Sequence, residues 1–235
     1  MAARTVIRHF AFRACICPIA CLAACACAGT PGAPGAPGAP GAQSTSPAAP
    51  RITADSTAAT AIPAGLGTLR QDDIAIVLQP PGVRVTAIPL DENVIRTLAP
   101  DSYRSLRALL ESRRQEITRR SAVHGIRDPH VWYVLFYGLA PDARFVPTDV
   151  TVSSGGRDYR PFDVVAISPG FGTQRLQPRD TQKGLLLFDE GLDISQPVVV
   201  TMGAERNSDW DGILRRIDAE RAAIRARASA RSPRP

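Results

Sequence analysis

A mainly β fold is predicted: an antiparallel β-sandwich with a helical insertion and a C-terminal helix. Three observations predict it. Short alternating or continuous runs of β-branched and aromatic residues recur between residues 66 and 204. Turn signals rich in Gly, Pro and Asp separate them, and two longer stretches show the apolar period of a helix. A length of 235 residues, 44% hydrophobic and 21% charged, suits one ordinary domain with long ends. That composition excludes a wholly disordered chain, and no apolar run reaches the roughly 18–20 residues of a membrane-spanning helix.

The N-terminal 24 residues read as a secretory signal. Arg4, Arg8 and Arg13 precede an uncharged 11-residue stretch, 14–24, which is too short to span a bilayer. All five cysteines (Cys15, Cys17, Cys21, Cys25 and Cys27) fall within the thirteen residues 15–27. A disulfide framework spreads its cysteines through a domain, so that reading fails. His9 alone stands nearby as a further metal donor, and neither a metal nor any other cofactor is implied.

Leu22-Ala23-Ala24-Cys25 resembles the lipobox of bacterial lipoproteins. The chemistry needs a thiol to carry the diacylglycerol, and small residues before it to admit the peptidase. The resemblance implies that Cys25 is lipidated and becomes the first residue of the mature chain. The partner it implies is a bacterial membrane, reached through the lipid anchor from an extracytoplasmic position. The alternative is ordinary cleavage after Ala26-Cys27-Ala28, which releases a soluble secreted protein. Removing residues 1–24 takes away three of the 28 basic residues and none of the 22 acidic ones, so the net charge falls from +6 to +3. No nucleic-acid partner follows from that balance.

Residues 25–65 form a tether. Gly-Ala-Pro repeats run from Thr30 to about Gly41, then Ser, Thr, Ala and Pro dominate, with no apolar period and almost no charge. Forty such residues reach at most roughly 130 Å and typically span about 35 Å.

The domain, 66–204, opens with a strand over 73–79 that puts Ile74, Ile76 and Leu78 on one face. Val83, Val85 and Ala87 alternate after the turn at Pro80-Pro81-Gly82. The spacing then predicts a helical insertion at about 91–124, capped by Asp101 or Ser102, with Tyr103, Leu106, Leu110 and Ile117 in one stripe and Gly125 beyond its end. Residues 131–137 (VWYVLFY) read as a central strand buried on both faces, with Trp132, Leu135 and Phe136 in the core. Strands over 146–153 and 159–167 meet across the Gly155-Gly156 turn. Strands over 183–188 and 197–202 are predicted to pair across Asp189-Glu190-Gly191, which makes seven strands. The C-terminal segment, 205–235, carries a helix from Ser208 or Asp209 with Trp210, Ile213, Leu214, Ile217 and Ile224 on one stripe, then a frayed tail.

Candidate chemistry is sparse. There is no G-x-S-x-G elbow, phosphate loop or H-E-x-x-H. His124, at a helix end, and His130, at a strand start, read as structural. Asp189, Glu190 and Asp193 lack the alternating oxygens of an EF-hand and read as turn residues. The arginines of the two helices read as solvated faces, with lipid headgroups or cell-wall polymer as the functional alternative.

The order of strand, Gly-Gly turn, Tyr-bearing strand, polar loop and apolar strand over 145–187 looks like the telokin-like, immunoglobulin-like domains of bacterial lipoproteins. The resemblance implies an immunoglobulin-like sandwich without catalytic residues. Loops on a rigid sandwich are natural binding sites, and the loop 168–182 offers Gln174, Arg175, Gln177, Arg179, Asp180 and Gln182 as candidate ligand-binding residues. The expected role is a binding or scaffold protein whose partner is another envelope protein or polymer. The alternative is an envelope enzyme, or a subunit of one, with a site of scattered Asp, Glu and Arg; Asp149, Asp158 and Asp163 are its first carboxylates.

Overall fold

The computed structural model describes residues 62–231; the signal, Cys25 and the tether through residue 61 lie outside the described residues, as do residues 232–235. Among the described residues the fold is mainly β, with eleven antiparallel strands in three sheets and four α-helices. In chain order these are α1 (Gln71–Ile74), β1 (Ile76–Leu78), β2 (Val83–Pro89), α2 (Glu92–Ile95), α3 (Pro100–Val123), β3 (His130–Gly138), β4 (Ala143–Arg144), β5 (Val150–Ser154), β6 (Arg157–Tyr159), β7 (Asp163–Ala166), β8 (Arg175–Leu176), β9 (Thr181–Phe188), β10 (Val198–Met202), β11 (Glu205–Asn207) and α4 (Trp210–Arg231). A five-stranded sheet has the order β1-β2-β3-β9-β7, a four-stranded sheet has β11-β10-β5-β6, and β4 pairs with β8.

Register and side-chain alternation place the core. Trp132 lies opposite Pro89 and Leu186, and Phe136 opposite Val85, so Val85, Ala87, Trp132, Val134, Phe136 and Leu186 share one face of the large sheet. That face and the buried residues Val150, Val152, Val198 and Val200 of the smaller sheet form one hydrophobic cluster, as in a β-sandwich. Phe136 stacks on Phe145 with ring centroids 4.3 Å apart, and Phe171 meets both rings edge-on.

The helical insertion covers the opposite face of the large sheet. Ile88, Leu185 and Leu187 point that way and are buried. Leu106 and Ile117 are the buried apolar residues of α3, and Arg120 reaches Asp163 on β7 at 2.9 Å. The helix starts two or three residues earlier than its polar caps suggest, with Ala99 as N-cap and Pro100 at the first helical position, where a missing N–H costs nothing. The C-terminal helix closes another side of the core. Trp210 is fully buried, its indole N–H donates to the Ile194 carbonyl at 2.8 Å, and Ile213, Ile217 and Ile224 continue the buried stripe while Leu214 is half-buried.

Several expectations are corrected. The stretch 73–79 is not one strand: the Arg70 N–H donates to Asp73 Oδ2 at 2.7 Å and winds residues 71–74 into a helical turn before β1. The stretch 146–153 likewise opens with a short 3₁₀ turn, Pro147–Asp149. Residues 159–167 split at Arg160-Pro161 into β6 and β7, which belong to different sheets. Residues 183–188 and 197–202 do not pair: β9 lies between β3 and β7, and β10 between β5 and β11. Their connection buries Leu192 and Ile194 and crosses between the sheets instead of turning tightly. β3 is central, but only one face of it is fully buried; Leu135 lies opposite Thr86 and Lys183 and is half-buried. The Gly155-Gly156 hairpin holds, with φ of +57° and +78° that a two-residue turn of this hand requires.

Candidate functional site

The loop 168–182 is more ordered than a solvated connection. Its Phe171 and Leu176 are buried, β8 pairs with β4, and the Arg179 N–H donates to the Gly138 carbonyl at 2.9 Å. The six candidate side chains do not converge. Arg175 pairs with Asp142 at 3.2 Å, and Asp180 Oδ2 accepts from the Gln177 N–H at 2.9 Å. Gln174 and Arg179 are exposed and hold left-handed backbone, with φ of +54° and +70°. Gln174 alone borders a small recess of about 210 Å³ floored by Phe171. Gln182 is partly buried against Gly170, and its Oε1 has no donor among the described residues.

The alternative carboxylates are also apart in their engagements. Asp158 accepts from the Ser153 hydroxyl, Asp163 holds Arg120, and Asp149 ends the short 3₁₀ turn before β5. Among the described residues, no three His, Cys, Asp or Glu side chains gather as metal ligands.

Topology assembles a different site, at the start of β3. Three adjoining hollows of about 360, 290 and 420 Å³ run between α2, α3, α4 and the connection 189–197. The first and middle hollows share Asp91, His130 and Ile194; the middle and last share Glu92, Leu110, Asp128, Pro129 and Val131. Together they form one cleft.

Its two ends differ in charge. Asp91, Asp193 and Asp218 line the first hollow, against Arg221 as the one arginine. Asp91 caps α2 through the Asn93 N–H at 2.8 Å, and Asp193 accepts from the Ser195 N–H and hydroxyl. Those Ser195 bonds hold the Asp193 carboxyl below its usual range. Arg221 bridges Asp218 and the Asn93 carbonyl, so α4 forms a wall of the hollow.

Arg96, Arg107, Arg114 and Arg127 line the far hollow with Glu92, Glu111 and Asp128. Glu92 Oε1 is its hub: it accepts from Arg96 Nε and the Tyr103 hydroxyl at 2.8 Å and meets Arg107 at 2.9 Å. Burial pushes the Glu92 carboxyl up, but these bonds and the two guanidinium charges outweigh it and hold it below the usual range. Burial and the bond to Glu92 push the Tyr103 phenol up. The middle hollow mixes Leu90, Leu110 and Ile194 with Asp91, Glu92, Asp128 and His130, and the buried Trp132 borders it. Sequence reasoning missed this cleft because Asp91, His130, Asp193 and Asp218 are far apart in the chain. The Glu92–Arg96 and Arg107–Glu111 spacings of four are the local signals that could have pointed to its ion-paired corner.

Comparison with known proteins adds no kinship: no family model, curated protein or solved structure matches the chain. Among the described residues, no helix is long and apolar enough to cross a membrane.

Proposed function

We propose that the protein is a bacterial envelope lipoprotein that binds a partner. In this reading Cys25 carries the lipid, the segment 26–65 spaces the domain from the bilayer, and the cleft at the start of β3 is the binding surface. One observation carries it: Leu22-Ala23-Ala24-Cys25 follows an uncharged stretch that Arg4, Arg8 and Arg13 precede. The separate engagements of Asp158 and Asp163 support binding over turnover, since neither is left to act as a free base on a shared substrate. Kinship with telokin-like, immunoglobulin-like lipoprotein domains belongs to the same reading. Fractionation of cells tests it. The parent protein is expected in the membrane fraction, and Cys25→Ala in the soluble fraction or as an uncleaved precursor, while Cys27→Ala behaves as the parent. Equal partitioning of the parent and Cys25→Ala would remove the anchor from the account.

A further inference from the structure

The outer face of the large sheet is only partly covered. Burial on that face reaches the row of Ile88, Tyr133, Leu185 and Val165, where all but Tyr133 are fully buried. The register of β2, β3 and β9 then gives a row of Thr86, Leu135 and Lys183, followed by a row of Arg84, Tyr137 and Thr181. Leu135 and Tyr137 are half-buried and stand outside the hydrophobic cluster that Tyr133 joins, and Leu139, just past the strand, is 45% exposed. Large apolar side chains thus recur at every second position beyond Tyr133, where an antiparallel sheet that faces water ordinarily turns polar residues outward. The charge beside this stripe has one sign. Arg84 and Lys183 are exposed, and their side chains have no partner among the described residues. No Asp or Glu occupies an outward position of β1, β2, β3 or β9, and the outward carboxylate of β7, Asp163, is already held by Arg120.

We propose that this stripe docks the domain on an anionic lipid surface. Leu135 and Leu139 supply apolar contact, the Tyr137 ring and hydroxyl suit the headgroup level, and Arg84 and Lys183 meet lipid phosphates. Charge selects this occupant over a second copy of the chain, since two copies packed through the stripe would bring four cations together with no carboxylate between them. The cleft opens at the other end of β3, so the two surfaces do not compete. The inference is independent of the cleft and of lipid on Cys25. A tether of forty residues, typically spanning about 35 Å, lets an anchored domain rest on the bilayer or leave it.

The test mixes the full-length chain with vesicles of phosphatidylcholine alone, or of an equal mixture with phosphatidylglycerol, so that any contribution of the N-terminal segment is present in both. Leu139→Trp places an exposed indole on the stripe, while the two native tryptophans, Trp132 and Trp210, are buried. Brominated acyl chains are expected to quench the added indole in the anionic vesicles and not in the neutral ones. Lys183, the single lysine of the chain, is expected to lose reactivity toward an amine-acetylating reagent under the same condition. Adding Arg84→Gln should lower the ratio of docked to free domain about fivefold, the effect of one cation near a charged surface. Equal quenching in both vesicles, quenching in neither, or an Arg84→Gln protein that docks like the parent would overturn the proposal. So would Lys183 protection without quenching, which describes a domain held near the surface by charge alone. Lys183 protection that rises with protein concentration in the absence of vesicles would give the face to a second copy. Protection by envelope fragments but not by protein-free anionic vesicles would give it to an acidic protein surface.

Discussion

The Thr68 N–H donates to Glu220 Oε1 at 2.9 Å, tying the start of the domain to the C-terminal helix across 152 residues of sequence. The Thr68 hydroxyl and Arg227 reach the same oxygen at 3.0 and 2.8 Å, and Arg227 also donates to the Leu66 carbonyl. Glu220 is 8% exposed, so a single buried carboxylate holds the segment around Leu66 and Thr68. Glu220→Ala should cost about 2 kcal/mol, because it removes the acceptor of three donors at once. A denaturation midpoint equal to the parent's would show that the segment is held elsewhere.

The same carboxylate gives the fold an acid sensitivity. Burial pushes the Glu220 carboxyl up, but the bonds from Arg227 and Thr68 and the Arg227 charge outweigh it and leave it below the ordinary 4.5. A carboxyl depressed by folding stabilises at pH values above its unfolded-state value, and that contribution is lost as pH falls through the folded-state value. Stability should therefore decline as pH drops below 4.5, more steeply for the parent than for Glu220→Gln. Parallel pH profiles for the two proteins would refute the assignment.

The aromatic centre of the sandwich carries much of its stability. Phe136→Ala should cost about 3–5 kcal/mol, since it empties a fully buried site stacked on Phe145. Leu135→Ala, on the half-buried face of the same strand, should cost only about 1 kcal/mol. Similar losses from both would contradict the facing of β3.

What the sequence disclosed follows from the range of its signals. The run 131–137 and the pairs flanking Gly155-Gly156 carry their pattern within a few residues, so β3 and the hairpin of β5 and β6 were legible. The apolar stripes of α3 and α4 were legible for the same reason. Strands of two or three residues, such as β4, β8 and β11, are too short to show a period. Sheet membership was hidden as well, because Pro161 and the crossover that buries Leu192 look like ordinary turns in a linear reading. The cleft was the least legible part: His130 and Asp193 stand 63 positions apart, and only the packing of α2, α4 and the crossover brings them together.

Gly184 lies beneath the Phe171 ring, where a Cβ would come within 2.5 Å of Cζ. Gly184→Ala should therefore displace Phe171 and cost about 1–3 kcal/mol, as overpacking does. A melting temperature unchanged from the parent would show that the ring moves aside freely.

Docking of α4 in cis makes a further prediction. Trp210 packs with its ring centroid 6.4 Å from that of Trp132, and its indole N–H is bonded to the Ile194 carbonyl. Trp210→Ala should cost about 3–5 kcal/mol, and truncation before Ser208 should abolish cooperative melting. A truncated chain that melts like the parent would assign the helix to another molecule's surface.

Intact-mass and peptide mass spectrometry of the mature N-terminus tests the central claim, lipid anchoring of a binding domain, most directly. The account predicts a first residue of Cys25 bearing diacylglycerol on sulfur, with residues 1–24 absent. Two or more acyl chains then hold the protein durably, because each buried methylene contributes about 0.8 kcal/mol and a single chain binds only weakly. A mature protein that begins with unmodified Gly29 would contradict the account and leave a freely secreted domain.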